Sequence, residues 1–199
     1  SYDCASFTLL RELKELFSEI IVSTGATYDE EIRKTSEILD GSNFSFLHCV
    51  TIYPTPLEEM HLARINFLKN FTDNVGLSDH SLVSRDGVLA SKVAIYLGAK
   101  IIERHFTIIS PEETRDGPVS ISKEQLKDLV TFSKLTNKEQ KQIIKKEYPE
   151  WEVMIGSEKR NLSDSELLNR DYYRGRFATP RKKSNNGLNM IFNWEEIEF

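Results

Sequence analysis

The sequence predicts an α/β protein, the C-terminal half (strands five to eight) of a (β/α)8 TIM barrel followed by an irregular tail. Three observations predict it. Four short apolar runs alternate with helical patterns, and successive runs start about every 25 to 30 residues, the length of one βα unit. The runs are rich in β-branched residues and hardly alternate, as expected of parallel strands covered by helices on both faces. Polar residues of chemical interest follow all four runs: Ser23 and Thr24, then Thr51 and Tyr53, then Ser78, Asp79 and His80, then Glu103 and His105. A barrel spreads its site over many strand ends, whereas an open doubly wound sheet gathers it at one switch point. No GxGxxG follows any run, which weakens the dinucleotide-binding version of the open sheet.

The elements follow in order. "SFTLLRELKELF" (Ser6–Phe17) reads as a helix without a strand before it. "EIIVSTG" (Glu19–Gly25) is the first strand. "TYDEEIRKTSEILDG" follows it as a helix with acidic residues at its start and Gly41 at its end. "FSFLHCVTIYPTP" is a second strand, stopped by Pro54 and Pro56. "LEEMHLARINFLKNF" reads as an amphipathic helix that turns His61 to solvent, whereas His48, inside the strand, reads as a core histidine with a hydrogen-bond partner. "NVGLSDHS" and "KIIERHFTI" are the third and fourth strands, with the helix "DGVLASKVAIYLGA" between them. After a loop, "SKEQLKDLVTFSKL" is the last helix of a barrel half spanning residues 1–135, and residues 136–199 form a charged, weakly periodic extension. Four strands alone leave two unpaired sheet edges, and the chain reads as cut from something longer.

Bulk properties exclude more than they assign. With 39% hydrophobic residues, 29% charged residues and a formal net charge of -5, nothing points to nucleic acid. The basic run Arg181 to Lys183 reads as a solvated loop. No apolar run reaches the roughly 20 residues a membrane span needs, and the opening residues as they stand do not read as a basic-then-apolar signal segment. Two cysteines, Cys4 and Cys49, without a CxxC pattern suggest reduced thiols in a cytoplasmic protein.

His80 and His105 stand 25 residues apart, each just past an apolar run. They are either two satisfied histidines at strand ends or two ligands facing a common centre, since neighbouring strands lie about 4.8 Å apart. Imidazole ligands taken alone suggest Zn or Fe.

The motifs "STG", "LHCVTIYPTPLEE", "GLSDHS", "LGAKIIERHFT" and "DGPVSI", in this order and spacing, resemble the N-acetylneuraminate (sialic acid) synthase family, which includes legionaminic and pseudaminic acid synthases. The resemblance runs from about Ser1 to Leu135. It implies condensation of phosphoenolpyruvate with an N-acetylated amino sugar of the N-acetylmannosamine type, with phosphate released, in a barrel that carries Mn2+ or Mg2+ and forms a homodimer at full length. It further implies that His80 and His105 are the metal ligands, that Ser23, Thr24 and Ser78 meet substrate oxygens, and that Thr51 and Tyr53 face the sugar. Asp79 would orient a histidine or cap the turn.

The sequence departs from the family in several places. Relatives often carry Gly-Pro-Asp after the last strand; here Val119 follows Gly117-Pro118 and the acid, Asp116, precedes them. Asp116 is either a catalytic carboxylate near the sugar or the Asp of an Asp-Gly turn. Thr51 stands where many relatives have Asn or Ser, and Arg104, where Lys is common, is expected to point outward towards the helices. "YYRGRFA" resembles an arginine-containing segment that follows the barrel in relatives, and too few residues come after it for a complete antifreeze-like domain. Two other readings stay open: another divalent-metal barrel aldolase or hydrolase, and a catalytically inactive, truncated half-barrel.

Overall fold

The structure is a computed structural model that describes residues 2–173, the last of them by its backbone only. The arginine-containing segment beyond Tyr173, the basic run Arg181 to Lys183 and the closing segment therefore lie outside the described residues. Strands β1 (Ile20–Ser23), β2 (Phe44–Cys49), β3 (Val75–Asp79) and β4 (Ile101–Arg104) form one parallel sheet in chain order. Helices α1 (Phe7–Leu16), α2 (Asp29–Leu39), α3 (Arg64–Leu68), α4 (Val83–Asp86), α5 (Leu89–Tyr96) and α6 (Lys123–Ser133) precede, separate and follow the strands.

The continuous apolar pattern of β2 and β3 has its cause in burial on both faces: every residue of both strands is buried. Phe46 and Leu77 lie at the centre of a core completed by Ile32 and Leu39 from α2, Ile65 and Leu68 from α3 and Val93 from α5. Each such fully buried side chain contributes about 1.5–3 kcal/mol relative to exposure. Gly76 allows β3 and β4 to approach: a Cβ there would sit 2.2 Å from the Ile101 carbonyl oxygen.

The structure corrects the sequence reading in two places. Residues 57–71 are not one helix. A 3-10 turn (Leu57–Glu59) leads into His61 at φ 45°, and α3 begins only at Arg64. The break is fixed from a distance, because the Leu62 and Ala63 amides donate to the carbonyls of Met154 and Ile155 at 2.8 Å each. His61 is accordingly half-buried rather than turned to solvent, its Nδ1 accepting from the Ser157 amide at 3.4 Å.

Nor is the tail irregular over its described part. α7 (Asn137–Glu147), a 3-10 turn (Trp151–Met154) and α8 (Asp164–Tyr173) follow α6. Ile144, Trp151 and Met154 enter the same core. α7 starts on a capping box in which the Thr136 hydroxyl accepts from the Glu139 amide and Glu139 accepts from the Thr136 amide.

Candidate active site

Side chains alternate across a strand, so residues two apart share a face. The register Ser78↔Glu103 and Asp79↔Arg104 therefore puts Ser78 and Glu103 on one face and Asp79 with Arg104 on the other. One residue further along each strand, His80 and His105 return to the face of Ser78 and Glu103. Their ring centroids are 5.5 Å apart. Tyr53, from the segment after β2, joins them: its hydroxyl is 2.9 Å from His105 Nε2 and its ring centroid 4.9 Å from that of His80. Asp116 Oδ2 lies 3.8 Å from His105 Nδ1.

These groups border a cavity of about 470 Å³, lined by Tyr2, Thr51, Tyr53, His80, Arg115, Asp116 and Asn169. Four of the residues expected at a site thus meet in one cavity, with His105 in contact. Ser78 lies two residues before His80 on the same face and donates to Glu103 at 2.6 Å. The Ser23 hydroxyl is buried with no hydrogen-bond partner among the described residues. Thr24 spends both its amide and its hydroxyl on the Leu47 carbonyl, at 2.9 and 3.0 Å, and lines a neighbouring cavity of about 270 Å³.

The environments differ usefully. His80 is only 9% exposed, and burial pushes its imidazole down to about 4, so it is neutral at physiological pH. Its Nδ1 faces Cys49 Sγ at 3.8 Å, which leaves Nε2 for a ligand in the cavity. Burial first, and the Asp116 carboxylate second, push the Tyr53 phenol upward, so Tyr53 keeps its proton. Neither oxygen of Asp79 bonds a histidine: one accepts from the Ser81 amide at 2.8 Å, capping the turn that carries His80, and the other from Ser91 Oγ at 2.5 Å and from Arg104. Arg104 runs away from the histidines to Ser81 and the Gly87 carbonyl.

The donor set fits a divalent ion. Two imidazoles sharing one ion have ring centroids at most about 6.4 Å apart, from metal–nitrogen bonds of about 2.1 Å, and the observed 5.5 Å lies within that limit. One exchange is required, since His105 Nε2 now faces the Tyr53 hydroxyl. Among the described residues no group of three or more His, Cys, Asp or Glu is placed to hold a metal ion, so ligands beyond the two imidazoles would be substrate or water oxygens.

Asn169 and Arg115 carried no sequence signal. Asn169 comes from α8 and donates through Nδ2 to the Thr51 carbonyl, 118 residues away, at 2.5 Å. Both cysteines are buried and free, and among the described residues no helix is long and apolar enough to cross a membrane.

Comparison with known proteins gives this geometry a family. The pseudaminic acid synthase of Campylobacter jejuni is 31% identical over 207 aligned positions, covering 100% of this chain and 54% of that protein. The crystal structure of the spore coat polysaccharide biosynthesis protein SpsE from Bacillus subtilis superposes with a TM-score of 0.73 at 28% identity, over 87% of this chain and 49% of that one. The N-acetylneuraminic acid (sialic acid) synthetase of Leptospira borgpetersenii, crystallised with citrate, gives 0.61 at 28% identity, over 85% and 54% of the two chains. The chain thus spans about half the length of the relatives it matches. The NeuB family model matches residues 1–145. The chain belongs to the NeuB family.

Proposed function

We propose that this chain is the C-terminal half of a (β/α)8 barrel, in a synthase that condenses phosphoenolpyruvate with an N-acetylated amino sugar of the N-acetylmannosamine type. The product is a nonulosonic acid, and phosphate leaves. The observation that carries the reading is the meeting of His80, His105, Tyr53 and Asp116 at one mouth of a parallel sheet, 5.5 Å between the two imidazoles, in a NeuB-family chain. The half-barrel is supported by the sheet edges. β1 pairs only with β2 and β4 only with β3 among the described residues. Ile21 in β1 is 52% exposed and no residue of β4 is buried, although both strands are apolar enough for an interior. Further strands closing the cylinder would cover them.

The chemistry sets the tasks. The methylene carbon of phosphoenolpyruvate forms a carbon–carbon bond to the aldehyde carbon of the open-chain sugar, whose oxygen takes up a proton. Water adds to the neighbouring carbon, and the tetrahedral centre expels phosphate to leave a 2-keto acid. His80 and His105 would hold a divalent cation, which when bound would supply Lewis-acid polarisation of the aldehyde. Neutral imidazoles hold such a cation without cancelling its charge. Tyr53, kept protonated, donates a hydrogen bond towards the reacting oxygen, and Asp116 accepts one from the sugar. The unpaired hydroxyl of Ser23 is left to donate to an oxygen of phosphoenolpyruvate, and Ser78, whose proton is given to Glu103, meets a ligand as an acceptor.

The test is phosphate release from phosphoenolpyruvate and N-acetylmannosamine by the full-length protein that contains this chain. Release that needs both substrates and a divalent metal supports the reading, and release from neither this sugar nor other N-acetylated amino sugars ends it.

A further inference from the structure

Helix α8 stands outside the motifs that define the family resemblance, yet it closes the candidate cavity. What holds it there is a buried ion pair. Arg170 is 5% exposed and donates through Nη1 and Nη2 to the Glu31 carboxylate at 2.8 and 2.5 Å. Nη1 also reaches the Ala26 carbonyl at 2.7 Å, and the guanidinium lies 4.2 Å over the Tyr28 ring. Ala26 has φ 48°, in the left-handed region that a residue with a Cβ rarely adopts. The arginine thus fastens α8 to the loop after β1, and one residue before it Asn169 points into the site. There the Nδ2 of Asn169 donates to the Thr51 carbonyl at 2.5 Å. A backbone carbonyl only accepts, so this bond fixes which way round the amide sits and leaves Oδ1 as a set acceptor at the cavity wall. Beside it, Thr51 is 6% exposed and its hydroxyl has no partner among the described residues. A buried hydroxyl without a partner is costly unless a ligand satisfies it.

We propose that Asn169 is a substrate-positioning residue whose amide oxygen, together with the Thr51 hydroxyl, takes hydrogen bonds from the N–H and O–H groups of the amino sugar. This rests on the synthase reading above and adds to it a wall supplied by the segment after the barrel. Phosphoenolpyruvate offers no donor of this kind once ionised, so the contact discriminates for the sugar and not for its co-substrate.

The test compares Michaelis constants for the two substrates in the full-length protein. Asn169→Ala is expected to raise KM for N-acetylmannosamine about five- to tenfold, the loss of one neutral hydrogen bond, while KM for phosphoenolpyruvate stays within about twofold. Asn169→Asp sets two acceptors face to face at the Thr51 carbonyl and is expected to raise the same constant. Leu168→Ala, on the same helix and 70% exposed, is expected to leave both constants unchanged. An unchanged sugar KM in both Asn169 variants overturns the assignment, and so does an equal rise in both constants, which would mark a wall of purely structural importance. If the unaltered protein releases no phosphate, the synthase reading fails first and the assignment falls with it.

Discussion

Replacing Asp79 by alanine removes the carboxylate that faces a buried guanidinium. Asp79 is 0% exposed and the Arg104 side chain 3%, so neither charge can be screened by water. The loss also frees the Ser81 amide and the Ser91 hydroxyl, bonded at 2.8 and 2.5 Å. Breaking a buried pair from one side costs about 3–5 kcal/mol, because the surviving charge stays uncompensated. A domain is stable by only about 5–15 kcal/mol in all, so about a fifth of the total or more is at stake. Urea unfolding of the full-length protein reads this directly. With a slope near 2 kcal/mol per molar, Asp79→Ala lowers the midpoint by about 2 M. The double variant Asp79→Leu/Arg104→Met, which removes both charges and fills the space, is expected to lose less than half of that. A midpoint shift for Asp79→Ala worth under about 1 kcal/mol, or a double variant as unstable as the single one, would refute the reasoning.

Two further outcomes are expected. His48 is 2% exposed, with Nε2 donating to the Met60 carbonyl at 2.7 Å, and burial holds its imidazole down at about 3. The unfolded chain takes up that proton near pH 6.5, so the stability tied to this residue is complete above about 6.5 and falls by about 1.4 kcal/mol per unit as pH drops towards 3; unfolding curves of the unaltered protein and His48→Gln between pH 7 and 4 should diverge by that slope, and parallel curves would reject it. At Gly117 a Cβ would sit 1.7 Å from the Pro111 carbonyl oxygen, so Gly117→Ala must open the loop that carries Arg115 and Asp116; phosphate release should fall on the order of 100-fold, and unchanged turnover would show that the loop does not set the site.

How much of this was legible in the sequence depends on how far each residue's partners lie along the chain. The strands were readable because burial on both faces leaves a local trace, the unbroken apolar runs of β2 and β3. The two histidines were readable because each stands just past its own strand, so that strand spacing alone nearly fixes their separation. The capping box from Thr136 to Glu139 is equally local, yet the reading of residues 136–199 as an irregular charged extension passed over α7. The break at His61 was not readable, since the carbonyls that impose it belong to Met154 and Ile155. Asn169 was hidden for the same reason: its meaning comes from Thr51, and from an arginine whose counter-charge, Glu31, sits in the second helix. Thr24 shows the opposite case, a motif residue whose donors are taken up by the adjacent strand.

The central claim is that His80 and His105 share one divalent ion, and the most direct measurement is metal content after desalting, by elemental analysis of the full-length protein loaded with Mn2+. The unaltered protein should retain a stoichiometric ion, and His80→Ala and His105→Ala should each lose it together with turnover. Retention of the ion at the unaltered level by either variant, with manganese-dependent phosphate release intact, would contradict the account.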